Sequence, residues 1–127
     1  MGEAWRRVVH ADVSVDRSPS GLPLRHLVSA RDGARALYLG EQWLQPGDRV
    51  RLHTHPVEEV LTFLAGSGEA TLDGETVAVG AGVSLFVPPG VAHGFRCVGH
   101  EPLRLLVLFP GGRFAATTMV DDDGGRG

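Results

Sequence analysis

Apolar and polar residues alternate along most of this chain with a period of two, the spacing of strands that bury one face. Residues 34–44 form the first long apolar run, and Gln45, Pro46, Gly47 and Asp48 turn it back. A strand over 49–55 follows. Residues 59–64, Glu-Val-Leu-Thr-Phe-Leu, are strong β-formers that stop at Gly66, Ser67 and Gly68. Short strands are expected at 69–72 and 75–79, flanking Asp73-Gly74, the best hairpin signal in the chain. Further strands are expected at 84–87, 93–98 and 103–109. Upstream, residues 7–15 alternate loosely before the turn-forming Arg17, Ser18, Pro19, Ser20 and Gly21, and 24–29 reads as a short strand. No segment sustains a helical period before the tail.

Composition supports this pattern. The 18 glycines and eight prolines punctuate short apolar runs, as in an all-β protein. At 127 residues the chain has room for one core and not for two barrels. Residues 1–118 are expected to form one domain, and the acidic, glycine-rich 119–127 a flexible tail.

Within that frame stand three histidines and a glutamate. His53 and His55 are two apart, so on a strand both leave from one face, and Glu59 keeps the parity while Glu58 points outward. His93 follows Pro88, Pro89 and Gly90 and can close the set from another strand. Neutral imidazoles with one carboxylate suit one divalent transition metal (Fe, Mn, Ni, Zn or Co), with positions left over for water or substrate. A lone buried histidine is more often a hydrogen-bonded core residue, but that does not explain a matched set. His10, His26 and His100 fall outside any ligand pattern and are expected at the surface.

The two blocks carrying these residues resemble the motifs of the cupin family. The first fits G-x5-H-x-H-x3-E-x6-G at Gly47, His53, His55, Glu59 and Gly66, and the second fits G-x5-P-x-G-x2-H at Gly82, Pro88, Gly90 and His93. Cys97 stands where the family pattern ends in Asn. The interval between the blocks, 67–81, is short, as in compact cupins. The resemblance implies a single double-stranded β-helix, the cupin or jelly-roll barrel, with a metal held by His53, His55, Glu59 and His93. It is a poor guide to the reaction, because one barrel hosts many chemistries.

Parity assigns a pocket around that metal. Arg51 shares parity with His53 and is expected at the barrel mouth, where it could hold an anionic group; a solvated arginine near a turn is the equal reading. Cys97 shares parity with His93 and should face inward, more simply as a small hydrophobe than as a reactive thiol. Phe63, Phe86 and Phe95 are expected as apolar lining, with Tyr38 and Gln42 as polar contacts. Gly47, Gly66, Gly82 and Gly90 read as turn residues.

Charge narrows the function classes. A net charge of −3 leaves no footprint for nucleic acid or anionic membrane. All 12 basic residues are arginine, which removes Schiff-base lysine chemistry. Cys97 is the single cysteine, so no intrachain disulfide forms. No apolar run approaches the roughly 20 residues that span a bilayer. The polar start around Arg6 and Arg7 is not an export signal, so the cytoplasm is the expected compartment. Residues 7–15 are expected to pair with a second copy and give a homodimer, with 103–109 adding apolar surface. The expected activity is that of a metal-dependent enzyme on a small oxygen-chelating molecule, first a dioxygenase-type oxidoreductase. A non-redox isomerase, cyclase or decarboxylase comes second, and a non-catalytic binding or sensing module third.

Overall fold

A computed structural model describes residues 5–120. Its described strands are β1 (Asp16–Arg17), β2 (Pro23–Val28), β3 (Leu37–Leu44), β4 (Arg49–Thr54), β5 (Glu59–Ala65), β6 (Ser67–Leu72), β7 (Glu75–Gly80), β8 (Ser84–Val87), β9 (His93–Cys97), β10 (Leu103–Pro110) and β11 (Thr118–Met119). They pair antiparallel into a six-stranded sheet, β1-β2-β3-β10-β5-β8, and a five-stranded sheet, β11-β4-β9-β6-β7. Burial alternates residue by residue along β5 and β10. Their inward side chains, including Leu61, Phe63, Leu103, Leu105 and Val107, build the core between the sheets. The result is all-β, as the pattern implies, and is the jelly-roll barrel that the motif resemblance implies.

Local chemistry explains the corners. Asp73 (φ 49°) and Gly74 (φ 84°) both occupy the left-handed region that a two-residue hairpin turn requires, and Leu72 pairs with Glu75 across it. Gly66, between β5 and β6, has φ 84°, and a Cβ there would run into the Pro102 carbonyl. No other residue type fits that corner without moving the chain beneath it.

The ends differ from expectation. Residues 7–15 form no strand; they make one 3-10 turn at His10–Asp12 and lie largely exposed. Their attachments are single contacts rather than a ladder. The Arg25 side chain donates to the Val13 carbonyl at 3.0 Å, and His10 approaches Glu41 at 3.7 Å. Edge pairing is instead taken by β1, from residues expected to lie in a turn. At the other end, Met119 pairs with His53 and Val120 donates to the Leu52 carbonyl. The barrel therefore runs to 120, two residues past the expected boundary. The rest of the expected tail, 121–127, lies outside the described residues. No described helix is long and apolar enough to cross a membrane.

Candidate metal centre

One irregularity in β4 aims the first histidine. Val50 pairs with Phe95 and His53 with His93, so three steps along β4 match two along β9. The extra residue is a bulge, and it turns both Val50 and His53 inward although they are three apart. The bulged backbone packs onto Gly94, where a Cβ would lie 2.6 Å from the Val50 carbonyl oxygen. Arg51 is thereby turned out to solvent. Its expected place at the barrel mouth is overturned, because the bulge breaks the parity on which that place rested.

His53 and His93 face each other across β4 and β9, His55 lies one residue past β4, and Glu59 opens β5 of the opposite sheet. All four are buried, and their ligand atoms lie within 4.8 Å of one another. The Nδ1 atoms of His53, His55 and His93 contact the carbonyls of Arg51 (2.7 Å), Ala116 (2.9 Å) and Val91 (2.9 Å). A carbonyl only accepts, so each Nδ1 carries the hydrogen and each Nε2 is left with a lone pair. The buried His55 Nε2 has no hydrogen-bond partner.

His93 Nε2 sits 2.7 Å from Glu59 Oε1, too close for two bare lone pairs. A cation must lie between them, a proton or a metal. Burial opposes charging His93, but the hydrogen bond and charge of Glu59 outweigh it and raise its pKa. His53 behaves oppositely: burial, helped by its neighbouring imidazoles, lowers it to about 4, so it stays neutral and able to ligate. Three backbone-oriented imidazoles, an orphaned nitrogen and one carboxylate fit a divalent metal.

The cavity over this cluster is about 20 Å³, room for about one water molecule. Its wall includes Gln42, Val50, Leu61, Phe95, Phe114 and Thr117. Of the expected pocket residues, Gln42 and Phe95 reach it. Phe63 faces inward but forms the floor, its ring edge-on to Phe95 at 5.7 Å. Tyr38 is buried behind Phe109 and Phe114. Cys97 is buried about 13 Å along β9 from His93, by strand rise, and its thiol donates to the Glu101 carbonyl. Phe86 does not line the interior. It is 58% exposed, because the inward position of this short strand is taken by Val87.

Sequence reasoning missed the lid. Ser18, Pro19 and Ser20 come from the turn after β1, and Phe114 and Thr117 from the segment before β11. Nothing in their local pattern marks them, since only the barrel's closure brings them over the cluster. It also missed His26, expected at the surface. His26 is half-buried and held between Tyr38 and Asp16.

Two facing antiparallel sheets around a buried cluster of three histidines and a glutamate define a metal-binding jelly-roll protein. A family model described as cupin domain matches residues 40–109. The chain belongs to the cupin family. It is 36% identical over 75 residues to the polyketide synthase CurC of Streptomyces cyaneus, covering 58% of this chain and 49% of that protein. It is 36% identical over 93 residues to the dimethylsulfoniopropionate lyase DddW of Ruegeria pomeroyi, covering 72% of this chain and 60% of that protein. The chain thus spans about half to three-fifths of these two relatives. Among solved structures, the polyketide cyclase RemF of Streptomyces resistomycificus superposes with a TM-score of 0.80 at 30% identity, covering 91% of this chain and 85% of that one.

Replacing both His53 and His55 by Ala should leave a folded barrel, since turns and core set the strand path, with metal content near zero by elemental analysis. Full occupancy in that variant would show that the ligands lie elsewhere. Because a metal must displace the proton shared by His93 and Glu59, apparent affinity should fall about tenfold per pH unit while His93 is protonated. Competition from His53 should begin only near pH 4. Metal titrations at several pH values read this slope.

Proposed function

We propose that the protein is a metal-dependent enzyme acting without redox change on a small oxygen-chelating molecule, by cyclisation, isomerisation or carbon–carbon rearrangement of a polyketone or hydroxylated aromatic acid. The observation that carries this reading is the buried cluster of His53, His55, Glu59 and His93 beneath a wall of Leu61, Phe95 and Phe114. A divalent cation there, one of Fe, Mn, Ni, Zn or Co, supplies a Lewis acid for a chelated carbonyl or enol oxygen. The chain's own groups do the rest. Gln42 offers an amide donor to a substrate oxygen, and the apolar wall excludes water and strengthens every polar contact inside. The match to the polyketide cyclase RemF over most of both chains supports the non-redox form over the dioxygenase expected from ligand type alone.

Metal identity and oxygen uptake separate the readings. Protein purified without a chelating tag should consume no oxygen with any bound metal, and acetylacetone or salicylate should shift the visible spectrum of a cobalt-substituted sample. Iron together with oxygen consumption would make it a dioxygenase. A cobalt spectrum unmoved by every oxygen chelator would replace the enzyme by a binding module.

We also infer a homodimer. Trp5, Val9 and Val15 lie exposed along the N-terminal segment, apolar surface that a second copy can cover. Light scattering at micromolar concentration should give twice the chain mass; a monomer mass would refute the pairing.

A further inference from the structure

Beyond the lid lies a second, open cavity of about 450 Å³, lined by Leu24, His26, Phe114, Ala115 and Thr117 among others. It shares Ser18, Pro19, Phe114 and Thr117 with the metal cavity, so these four residues form the partition between the two. The inner chamber holds about one water molecule. An organic ligand at the cluster needs more room than that, and displacing the shared partition would open the outer chamber to it.

His26 in the outer wall is held from two sides. It pairs with Gly40 across β2 and β3, and Tyr38 folds over that glycine: a Cβ at Gly40 would lie 2.7 Å from the Tyr38 hydroxyl. The Tyr38 hydroxyl is 2.6 Å from His26 Nδ1, and an Asp16 oxygen is 3.0 Å from Nε2. The Arg17 backbone N–H and His26 itself keep Asp16 below the usual carboxylate range. A carboxylate accepts, so Nε2 carries a hydrogen, while Nδ1 is hydrogen-bonded to the Tyr38 hydroxyl. Tyr38 is only 1% exposed and closes its side of the ring. The Asp16 side chain is 61% exposed and can turn to water. A ligand oxygen takes its place at Nε2 only with the loss of this charge-assisted contact, so the ligand's gain must exceed that loss.

We propose that the outer chamber is the second half of the ligand site, and that His26 Nε2–H hydrogen-bonds an oxygen at the ligand end remote from the metal cluster. The ligand is the hydroxylated aromatic acid or polyketone of the proposed function, on which this class rests. Its chelating head sits at the cluster, its body runs past Phe114 and Pro19, and a hydroxyl or carbonyl lies at its tail. Only the head-group contact rests on the metal reading. Asp16 and Tyr38 act as positioning residues for the ring.

Fluorescence titration with two probes tests this: a hydroxynaphthoate with a salicylate-like head, and its analogue bearing a further hydroxyl on the far ring. The dihydroxy probe should bind the cobalt-loaded protein about tenfold more tightly. His26→Phe should erase that advantage and leave cobalt content and the cobalt spectrum with salicylate unchanged. His26→Gln, which keeps an N–H donor, should recover part of it. Equal affinity of the wild-type protein for the two probes would overturn the proposal. So would a far-ring preference that survives His26→Phe, or an equal weakening of both probes with a lower melting temperature, the mark of a merely structural His26–Asp16 pair. If salicylate leaves the cobalt spectrum unmoved while metal-free protein keeps a His26-dependent preference, the metal reading falls and the outer chamber stands.

Discussion

The site depends on one constraint: three imidazole nitrogens and a carboxylate oxygen meet, buried, inside an apolar barrel. Each histidine is fixed by its Nδ1–H on a backbone carbonyl, so none can rotate away from the others without breaking that hydrogen bond. The contact of His93 with Glu59 then demands a cation. Because the carbonyls of Arg51, Val91 and Ala116 come from three separate segments, the metal-facing geometry is a property of the barrel's closure. It does not belong to either motif block alone.

Two small residues make this meeting possible. The bulge that turns His53 toward His93 needs the space left at Gly94, and the tip of Tyr38 reaches His26 over the space left at Gly40. At Gly94 the absent side chain lets the neighbouring strand bulge, and at Gly40 it lets a side chain of the same strand reach across to β2. The first places a ligand and the second orients an imidazole in the outer wall. The same fold thus carries a small inner chamber over the cluster and a larger, more open outer one, with Pro19 and Phe114 between them.

Strand positions, the hairpin and the clustered four residues were legible because each rests on local rules. Alternation located the apolar strands β3, β5 and β10 to within a few residues, and Asp73-Gly74 marked its turn because only such pairs accept two successive left-handed conformations. Parity failed at Arg51, where one extra residue shifts the register, and at Phe86, where the buried position of β8 belongs to Val87. It also misled at residues 7–15, whose loose alternation finds single side-chain contacts instead of a strand partner.

The sequence by itself determined the fold class and the four residues that gather at the centre. Hydrophobic period, turn chemistry and ligand spacing are short-range properties of a chain. Tertiary structure alone decided what surrounds them. Ser18 is far along the chain from Phe114 and Thr117, and only closure of the two sheets brings them over one cavity. His26 gained its partners the same way, because strand pairing set it opposite Gly40 and within reach of Asp16. Distances across a barrel follow from register and bulges, which a one-residue slip can reverse and which no local pattern encodes.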